Sequence, residues 1–262
     1  VQALTTRQVA AMETQDVAVL SSAQFAAMTS AQLKALKTAQ IATLSTSSIA
    51  ALTTSGVSAL GTSFIASLSS AAIHALSTSQ IAALTSTQAA ALTSTQIDAM
   101  STDQVLALGT ADLSALSTSA INALHTDAIA AMDTNLIGAL STRQIAALST
   151  RDVAVLSPTQ VSALSTAQAA SLTTAQLGAL TTLGSLPLSV FQPSGIGALS
   201  TTAITSLSAS QIAGLTSSQV GALNSAQVAA MSTGQIAAIE TSDIGSLSTS
   251  AIAALTPADV NS

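Results

Sequence analysis

The chain has very few residues that can do chemistry. It contains no cysteine, tryptophan or tyrosine, only two histidines, and charged residues make up 6% of its 262 positions, whereas about a quarter is usual. The many serines have no partnered histidine or lysine base that would make one of them a nucleophile. We therefore expect no enzymatic activity, no cofactor and no metal site.

Positive charge and long apolar runs are also scarce. Proteins that bind nucleic acid neutralise its phosphates with clustered lysines and arginines, but this chain has five such residues and a net charge of −6. Although the mean hydropathy is +0.60, the longest apolar runs, such as residues 128–132, reach about five residues, and a spanning helix needs about twenty. We expect neither a nucleic-acid partner nor a membrane span. Because the first residue is Val1, we also expect a processed product or part of a longer chain.

A large aliphatic residue recurs every eight positions along nearly the whole chain. It occupies 23 positions from Leu4 to Leu180 and eight more from Leu199 to Leu255. Numbered from this residue, the octad reads L-[ST]-T-x-Q-[IV]-A-A. Such a fixed period predicts one repeat array rather than several globular domains. We divide the chain into an octad solenoid over residues 1–182, an irregular insertion with proline and glycine over 183–198, and a continuation of the same solenoid over 199–262.

A period of eight fits a short helix that restarts in every octad. In one continuous helix the aliphatic stripe would drift by about 80° per octad and face no fixed partner. In a strand, positions 1 and 6 would point to opposite faces. The fold prediction is all-α: a solenoid, or superhelix, of helices of about six or seven residues, under two turns each. Helices this short need stacked neighbours, but the number of octads per solenoid turn stays open. A β-solenoid is the alternative.

Each octad contains a helix-start signal. In octad 76–83, Ser77 is expected at the N-cap and Gln80 at N3, where they form a capping box, while Leu76 and Ile81 occupy the positions of a hydrophobic staple. Replacements at these positions agree with the same register, because they are alternative caps, acidic N3 residues that favour a helix N-terminus, or prolines at N1. They are Asp133, Asn224, Gly61 and Gly109 at the cap; Asp16, Asp112, Asp152, Asp243 and Asp259 at N3; and Pro158 and Pro257 at N1.

The insertion holds the strongest candidate for a site. Leu180 and Leu199 are 19 residues apart, which is two octads plus three residues, and we expect Pro187 and Pro193 to break the rhythm. The segment is interpreted either as a loop that covers the solenoid or as a docking site for a partner. The docking interpretation depends on the most apolar patch outside the repeats, formed by Leu186, Leu188, Val190 and Phe191.

Two stretches resemble a known type of array. Residues 83–88, ALTSTQ, and residues 172–180, LTTAQLGAL, are similar to the ALTTxQIAAL arrays of very large secreted bacterial surface proteins, which are often labelled heme-utilisation or adhesion proteins. The resemblance extends over nearly the whole chain and implies an extracellular role at a surface, in a matrix or in a filament. Heme binding finds no support, because His74 and His125 are isolated and no axial-ligand pattern recurs. We expect both histidines at the surface.

A regular repeat that lacks candidate catalytic residues predicts a non-enzymatic, extracellular structural repeat protein. We expect a subunit of a filament, sheath or surface layer, or the stalk of an adhesin. The end octads lack a specialised polar cap, so we expect self-association, head-to-tail or lateral, or continuation in a longer chain. The alternative is a binding module that uses one solenoid face for a glycan, a protein or an ice surface. Equally spaced threonines favour ice, whereas the apolar patch and a row of Arg7, Arg143 and Arg151 favour a partner.

Overall fold

The computed structural model describes residues 1–257, and its chain contacts divide into two compact units, Val1–Met132 and Asp133–Ser262. The division follows Met132, a position-1 residue, and the octad period runs across it without a change in the sequence. The insertion lies inside the second unit. Division by contacts therefore differs from the predicted division at residues 182 and 198, which follows the interruption of the period.

The described residues of the first unit form sixteen α-helices of four to six residues, one in each octad. In chain order, α1 to α16, they are Thr6–Ala11, Thr14–Ala18, Ser22–Ala26, Ser30–Ala35, Thr38–Ile41, Thr46–Ala50, Thr54–Ser58, Thr62–Ser67, Ser70–His74, Thr78–Ile81, Ser86–Ala89, Ser94–Asp98, Thr102–Ala107, Thr110–Ala115, Thr118–Ile121 and Thr126–Ala131.

The second unit has the same construction, with a single 3₁₀ helix at Leu188–Val190 among its described elements. Its α-helices, α17 to α30, are Thr134–Ala139, Thr142–Ala147, Thr150–Ala154, Pro158–Ser162, Thr166–Ala170, Thr174–Ala179, Pro193–Ala198, Thr201–Thr205, Ala209–Ala213, Ser217–Val220, Ser225–Ala230, Thr233–Ala237, Thr241–Ile244 and Thr249–Ile252. No strand occurs in residues 1–257, so the all-α prediction is confirmed and the β-solenoid alternative is wrong.

The predicted register is confirmed. Ser77 is the N-cap of α10, the Gln80 N–H donates to Ser77 Oγ at 3.2 Å, and the Ser77 N–H donates to Gln80 Oε1 at 2.7 Å. The alternative caps, the acidic N3 residues and Pro158 also hold their expected positions. Pro257 is helical, and Asp259 lies outside the described residues. Each octad therefore starts its own helix through contacts that are local in sequence.

The helices are somewhat shorter than the six or seven residues expected, because position 1 closes each one. The Leu84 N–H donates to the carbonyl of Ile81, three residues back, at 3.0 Å, which tightens the last turn. At the end of α13, Leu108 has left the helical region, with φ −65° and ψ 127°. The same residue then precedes the next cap, so a position-1 residue ends one helix and introduces the next.

Within each unit, a helix packs against the third helix along the chain. In the first unit this holds from α1 with α4 through α13 with α16, and in the second unit it holds for pairs such as α19 with α22 and α24 with α27. Three successive octads thus make one solenoid turn, the number that the sequence left open. Because each helix contacts its equivalents one turn away, the hydrophobic surface that a single octad cannot cover is covered by its neighbours.

Three of the eight octad positions supply the core. In octad 76–83, Leu76, Gln80 and Ile81 are buried, Ala83 is half-buried and the other four residues are exposed. Positions 1 and 6 thus provide the aliphatic interior, and position 5 adds a buried amide. The outer surface consists mainly of hydroxyl groups and alanine methyls.

The insertion is smaller than predicted. Pro193 does not break the repeat but occupies N1 of α23, where its fixed φ suits a helix start. Phe191 lies eight residues before Leu199 and takes position 1, so the octads resume there and the irregular part is confined to residues 181–190. Residues 180–190 therefore take the place of two shortened octads, because the 3₁₀ helix packs on α21 and α23 packs on α22. Leu186, like Phe191, donates its N–H to the carbonyl three residues back, as a position-1 residue does.

No helix within residues 1–257 combines the length and the apolar character that crossing a bilayer requires.

Candidate functional site: the glutamine ladder

The few residues with reactive side chains are dispersed over the described part of the chain. No group of three or more histidines, aspartates and glutamates is placed to hold a metal ion within residues 1–257. His74 is exposed, with Nδ1 3.0 Å from the carbonyl oxygen of Ala99. His125 is also exposed, with Nε2 2.6 Å from the carbonyl oxygen and 3.5 Å from Oδ1 of Asp98. Both side chains bind the backbone of a neighbouring solenoid turn.

The predicted docking patch is not a surface. Leu186, Leu188 and Phe191 are buried, and Val190 is half-buried. Leu188 and Phe191 replace the usual residues of positions 6 and 1, so their side chains fill the aliphatic interior where residues 180–190 take the place of two octads. The prediction of an exposed apolar docking patch is therefore wrong, because the apolar residues of the insertion complete the core.

A shallow depression of about 180 Å³ lies between the insertion and α25. Gln211 is one of its lining residues, and its amide is fully engaged: Nε2 donates to the carbonyls of Gly184 and Leu186, both at 3.1 Å, and Oε1 accepts from the Ser208 N–H at 3.0 Å. In the described part of the chain, no buried side-chain nitrogen or oxygen lacks a hydrogen bond. The depression therefore offers no unused buried polar group to a ligand.

The predicted arginine row is also not formed in the second unit. Arg143 and Arg151 lie on α18 and α19, which are successive helices. Stacking brings together helices three octads apart, so a spacing of eight residues places the two side chains in different columns of the solenoid. A row would require a spacing of 24 residues or so.

The recurrent polar feature of the interior is the position-5 glutamine. Gln96 Oε1 accepts from the Thr93 N–H at 2.9 Å, which is the capping bond of its own helix. Its Nε2 donates to the carbonyls of Ile65 and Leu68, both at 2.8 Å. One amide therefore joins the start of α12 to the junction that precedes α9, the helix on which α12 stacks.

This arrangement repeats along both units, and we call it the glutamine ladder. Each member donates from Nε2 to the position-1 carbonyl 28 residues earlier, at distances from 2.6 to 2.8 Å. The members are Gln32, Gln40, Gln80, Gln88, Gln96, Gln104, Gln168, Gln176, Gln219, Gln227 and Gln235. The ladder continues past the insertion because Leu188 and Phe191 present their carbonyls to Gln219 in the standard positions.

The ladder requires an amide, because only an amide both accepts and donates here. A capping box is satisfied by glutamate as well as glutamine, but an ionised carboxylate only accepts hydrogen bonds. The sequence has two glutamates, Glu13 and Glu240, and both stand at position 2. The absence of glutamate from position 5 was the available signal for the ladder, which our sequence analysis missed.

At two positions where aspartate replaces the glutamine, a serine hydroxyl on the neighbouring turn donates to the carboxylate. Ser86 Oγ donates to Asp112 Oδ1 at 2.8 Å, and Ser217 Oγ donates to Asp243 Oδ1 at 2.5 Å. In both pairs the serine is at position 3, 26 residues before the aspartate. The direction of donation between turns is thus reversed at these two sites, and the buried carboxylate keeps a partner.

The ladder joins each solenoid turn to the turns before and after it. Every turn presents amide donors to the preceding turn and backbone carbonyls to the following turn, so the chemistry of position 5 is used in joining octads. No other cluster of polar side chains in the described residues recurs in this way.

The comparison with known families agrees with this architecture. The ALTTAQ repeat matches in tandem over residues 1–30, 9–46, 25–62, 57–94, 105–142, 145–182 and 191–225, which together cover more than half of the chain. No curated protein matches the sequence. The predicted octapeptide-repeat array is thus confirmed, and the chain belongs to the ALTTAQ repeat family.

Proposed function

We propose that the chain is a non-enzymatic structural repeat protein, acting outside the cell as a subunit of a filament, sheath or surface layer or as the stalk of an adhesin. The observation that carries this proposal is the glutamine ladder. A buried polar group of the same type, at the same octad position, is engaged in holding neighbouring octads together in both units. The recurrent buried amides of the interior therefore have a structural role.

The outer surface supports the same role. Positions 2 and 3 carry mostly serine and threonine, and position 4 carries them in many octads. These residues are exposed in octads such as 76–83. A surface with few charges offers little to a charged substrate, whereas its hydroxyls keep a helical array hydrated. Sparse lysine and arginine also leave few sites for trypsin-like proteases, which suits a protein outside the cell.

Two measurements test this proposal. Negative-stain electron microscopy of the purified chain over a range of concentrations is expected to show fibres or sheets for a filament or layer subunit. Particles that stay single at all concentrations would overturn the filament and layer forms and leave the stalk. Antibody labelling of intact source cells is expected to mark their surface, and labelling only after permeabilisation would contradict the extracellular role.

A second candidate is an ice-binding surface, favoured by the exposed threonines that recur at a fixed octad position. Thr78 and Thr142 exemplify this set at position 3. If the candidate is correct, the purified chain produces thermal hysteresis, and replacing exposed position-3 threonines by serine within one stacked column reduces it. The absence of hysteresis in the wild-type chain would exclude this candidate. Glycan-array binding tests the related possibility of a sugar partner.

A further inference from the structure

One joint between turns of the first unit lies outside the glutamine ladder. With three octads per turn, residues 28–51 form one turn and residues 52–75 form the next. The position-5 residues of the later turn have no side-chain amide, and no described side chain donates to the position-1 carbonyls of the earlier turn. These position-5 residues are Gly56, Phe64 and Ala72, and the carbonyls are those of Met28, Leu36 and Leu44. We call the contact between these two turns the ladder-free joint.

No other hydrogen bond takes the place of the ladder at this joint. Residues 28–75 all belong to the described part of the chain, and among them only the Leu52 N–H crosses from one turn to the other. It donates to the Ile49 carbonyl at 3.1 Å and closes α6, as the Leu84 N–H closes α10. The stacked faces of the two turns are thus not hydrogen-bonded to each other.

Apolar contacts hold the ladder-free joint together. Phe64 and Ala72 are both buried, so hydrocarbon groups stand where the ladder has amides. An added Cβ at Gly56 would lie 3.7 Å from Leu33 Cδ1 of the earlier turn, which is ordinary van der Waals contact. Hydrophobic contact has no preferred direction, whereas a hydrogen bond weakens steeply as its angle closes. Two turns joined by apolar contact alone can therefore tilt without breaking a hydrogen bond.

The joints on either side of this one are hydrogen-bonded. On the N-terminal side, Gln32 donates to the Leu4 carbonyl at 2.7 Å, and Gln40 makes the equivalent bond at 2.8 Å. On the C-terminal side, the next turn has glutamine in all three octads. These side chains donate to the position-1 carbonyls of residues 52–75 at 2.7 to 2.8 Å. The ladder-free joint thus lies between two joints that the ladder closes.

A second run of octads without glutamine, residues 108–131, is joined to the preceding turn by other side chains. Ser86 Oγ donates to Asp112 Oδ1 at 2.8 Å. In addition, His125 Nε2 lies 2.6 Å from the carbonyl oxygen of Asp98. The missing amides are therefore compensated there, whereas the ladder-free joint has no such bond among the described residues of the first unit.

We propose that the ladder-free joint is the flexible joint of the first unit, at which the two turns tilt and separate while the joints on either side stay closed. For a structural repeat chain the consequence is bending or extension at one defined place, and no octad has to unfold for it. The proposal goes beyond the structural function proposed above, because it concerns the mechanics of the array and holds for a filament subunit and a stalk alike.

Spin labels along one column of the full 262-residue chain test the proposal. Three double-cysteine variants place one label pair across each successive joint, at exposed position-4 residues spaced 24 apart: Gln15, Ala39, Ser63 and Thr87. The 39–63 pair spans the ladder-free joint, while the 15–39 and 63–87 pairs span laddered joints and are the matched controls. In urea below the main unfolding transition, electron paramagnetic resonance measures the fraction of each pair that has separated. We expect this fraction to be at least about tenfold higher for the 39–63 pair, since two hydrogen bonds of one glutamine oppose opening at each control.

Restoring one ladder contact tests the cause. Ala72→Gln adds an amide that the octad spacing directs at the Ile41 and Leu44 carbonyls, so it should lower the separated fraction of the 39–63 pair toward that of the controls. Ala71→Gln adds the same amide at the exposed position 4 and should leave the fraction unchanged.

Two results would overturn the proposal. If a control pair separates first, or if all three pairs separate together, the joint is not the flexible one, and this comparison needs no glutamine variant to fold. If Ala72→Gln folds and changes the 39–63 pair no more than Ala71→Gln does, the missing amide is not the cause of the opening. The structural function proposed above stands in either case.

Discussion

At the scale of single residues, the position-5 glutamine combines two tasks that are usually separate. Its oxygen completes a capping box within one octad, and its nitrogen binds carbonyls 28 to 31 residues earlier, as in Gln96. The first task is readable from the sequence, because all its partners lie within four residues. The second depends on how many octads make a solenoid turn, and no local pattern contains that number.

Replacing Gln96 by glutamate separates the two tasks. The capping box survives, but a carboxylate then faces the carbonyls of Ile65 and Leu68, so we expect the free energy of unfolding to fall by about 3 kcal/mol or more. Gln24→Glu is the matched control, because Gln24 forms the same box while its side chain is exposed. Urea denaturation followed by circular dichroism measures the difference at low protein concentration, where copies do not assemble. An equal loss in both variants would contradict the ladder.

The Gln96→Glu deficit should also depend on pH. A protonated carboxyl has one O–H donor, so the variant should recover part of its stability between about pH 7 and about pH 4, where glutamate gains its proton. Measured against the wild type at each pH, the deficit should shrink as the pH falls. A deficit that stays constant over this range would show that it does not come from a buried charge.

Gly184 is the one described residue whose backbone conformation requires glycine. Its φ is +52°, and an added Cβ would lie 2.7 Å from the carbonyl oxygen of Pro158 and 3.3 Å from the Ser162 nitrogen. We expect Gly184→Ala to destabilise the second unit by at least about 1–2 kcal/mol. The control is Gly234→Ala in α28, where no atom lies within 4 Å of the added Cβ and alanine should stabilise by about 0.4–1 kcal/mol. Thermal melts that shift both variants in the same direction would contradict this account.

At the scale of elements, each helix is started locally and stabilised by its neighbours. Capping boxes recur through both units, but helices of four to six residues are not stable alone in water. Their stability comes from the aliphatic interior and the ladder, which both depend on stacking.

Proline substitutions in α10 test the register of one helix. Thr78 is N1, where an N–H has no partner within the helix, so Thr78→Pro should change the stability by less than about 1 kcal/mol. Ala82 is the C-cap of the same helix, and its N–H donates to the Thr78 carbonyl at 2.8 Å. Ala82→Pro should therefore cost about 3 kcal/mol. Helix content and melting temperature by circular dichroism provide the comparison, and equal tolerance of both prolines would show that the helix starts elsewhere.

The sequence analysis predicted the contacts that form within one octad and missed the contacts that join octads. The helix class, the register, the caps and the proline at position 158 follow from contacts within a few residues. The size of the insertion was overestimated because Phe191 was not recognised as a position-1 residue in place of leucine. Its apolar neighbours were then interpreted as a surface patch, although Leu188 and Phe191 keep their carbonyls in the ladder. The stacking of every third helix required the structure.

At the scale of the whole molecule, the repetition of one contact rule explains how a chain with few charges and few aromatics folds. Each octad contributes a position-1 and a position-6 aliphatic residue, and every third helix within a unit stacks. Stability is then approximately a sum over turns and their interfaces. The rule also allows shortened octads, because residues 180–190 take the place of two octads and rejoin the ladder at the Leu188 and Phe191 carbonyls.

Three octads per solenoid turn is the central claim, and distances between spin labels test it most directly. The chain has no cysteine, so cysteine can be introduced at exposed position-4 sites as Ser79→Cys paired in turn with Thr87→Cys, Thr95→Cys or Asp103→Cys. Stacked helices lie about 8–10 Å apart. The distance between labels at positions 79 and 103, which are 24 residues apart, should therefore be the shortest of the three distances or exceed the shortest by only a few ångströms. One unbroken helix would instead give distances rising through about 12, 24 and 36 Å, and that result would contradict the account.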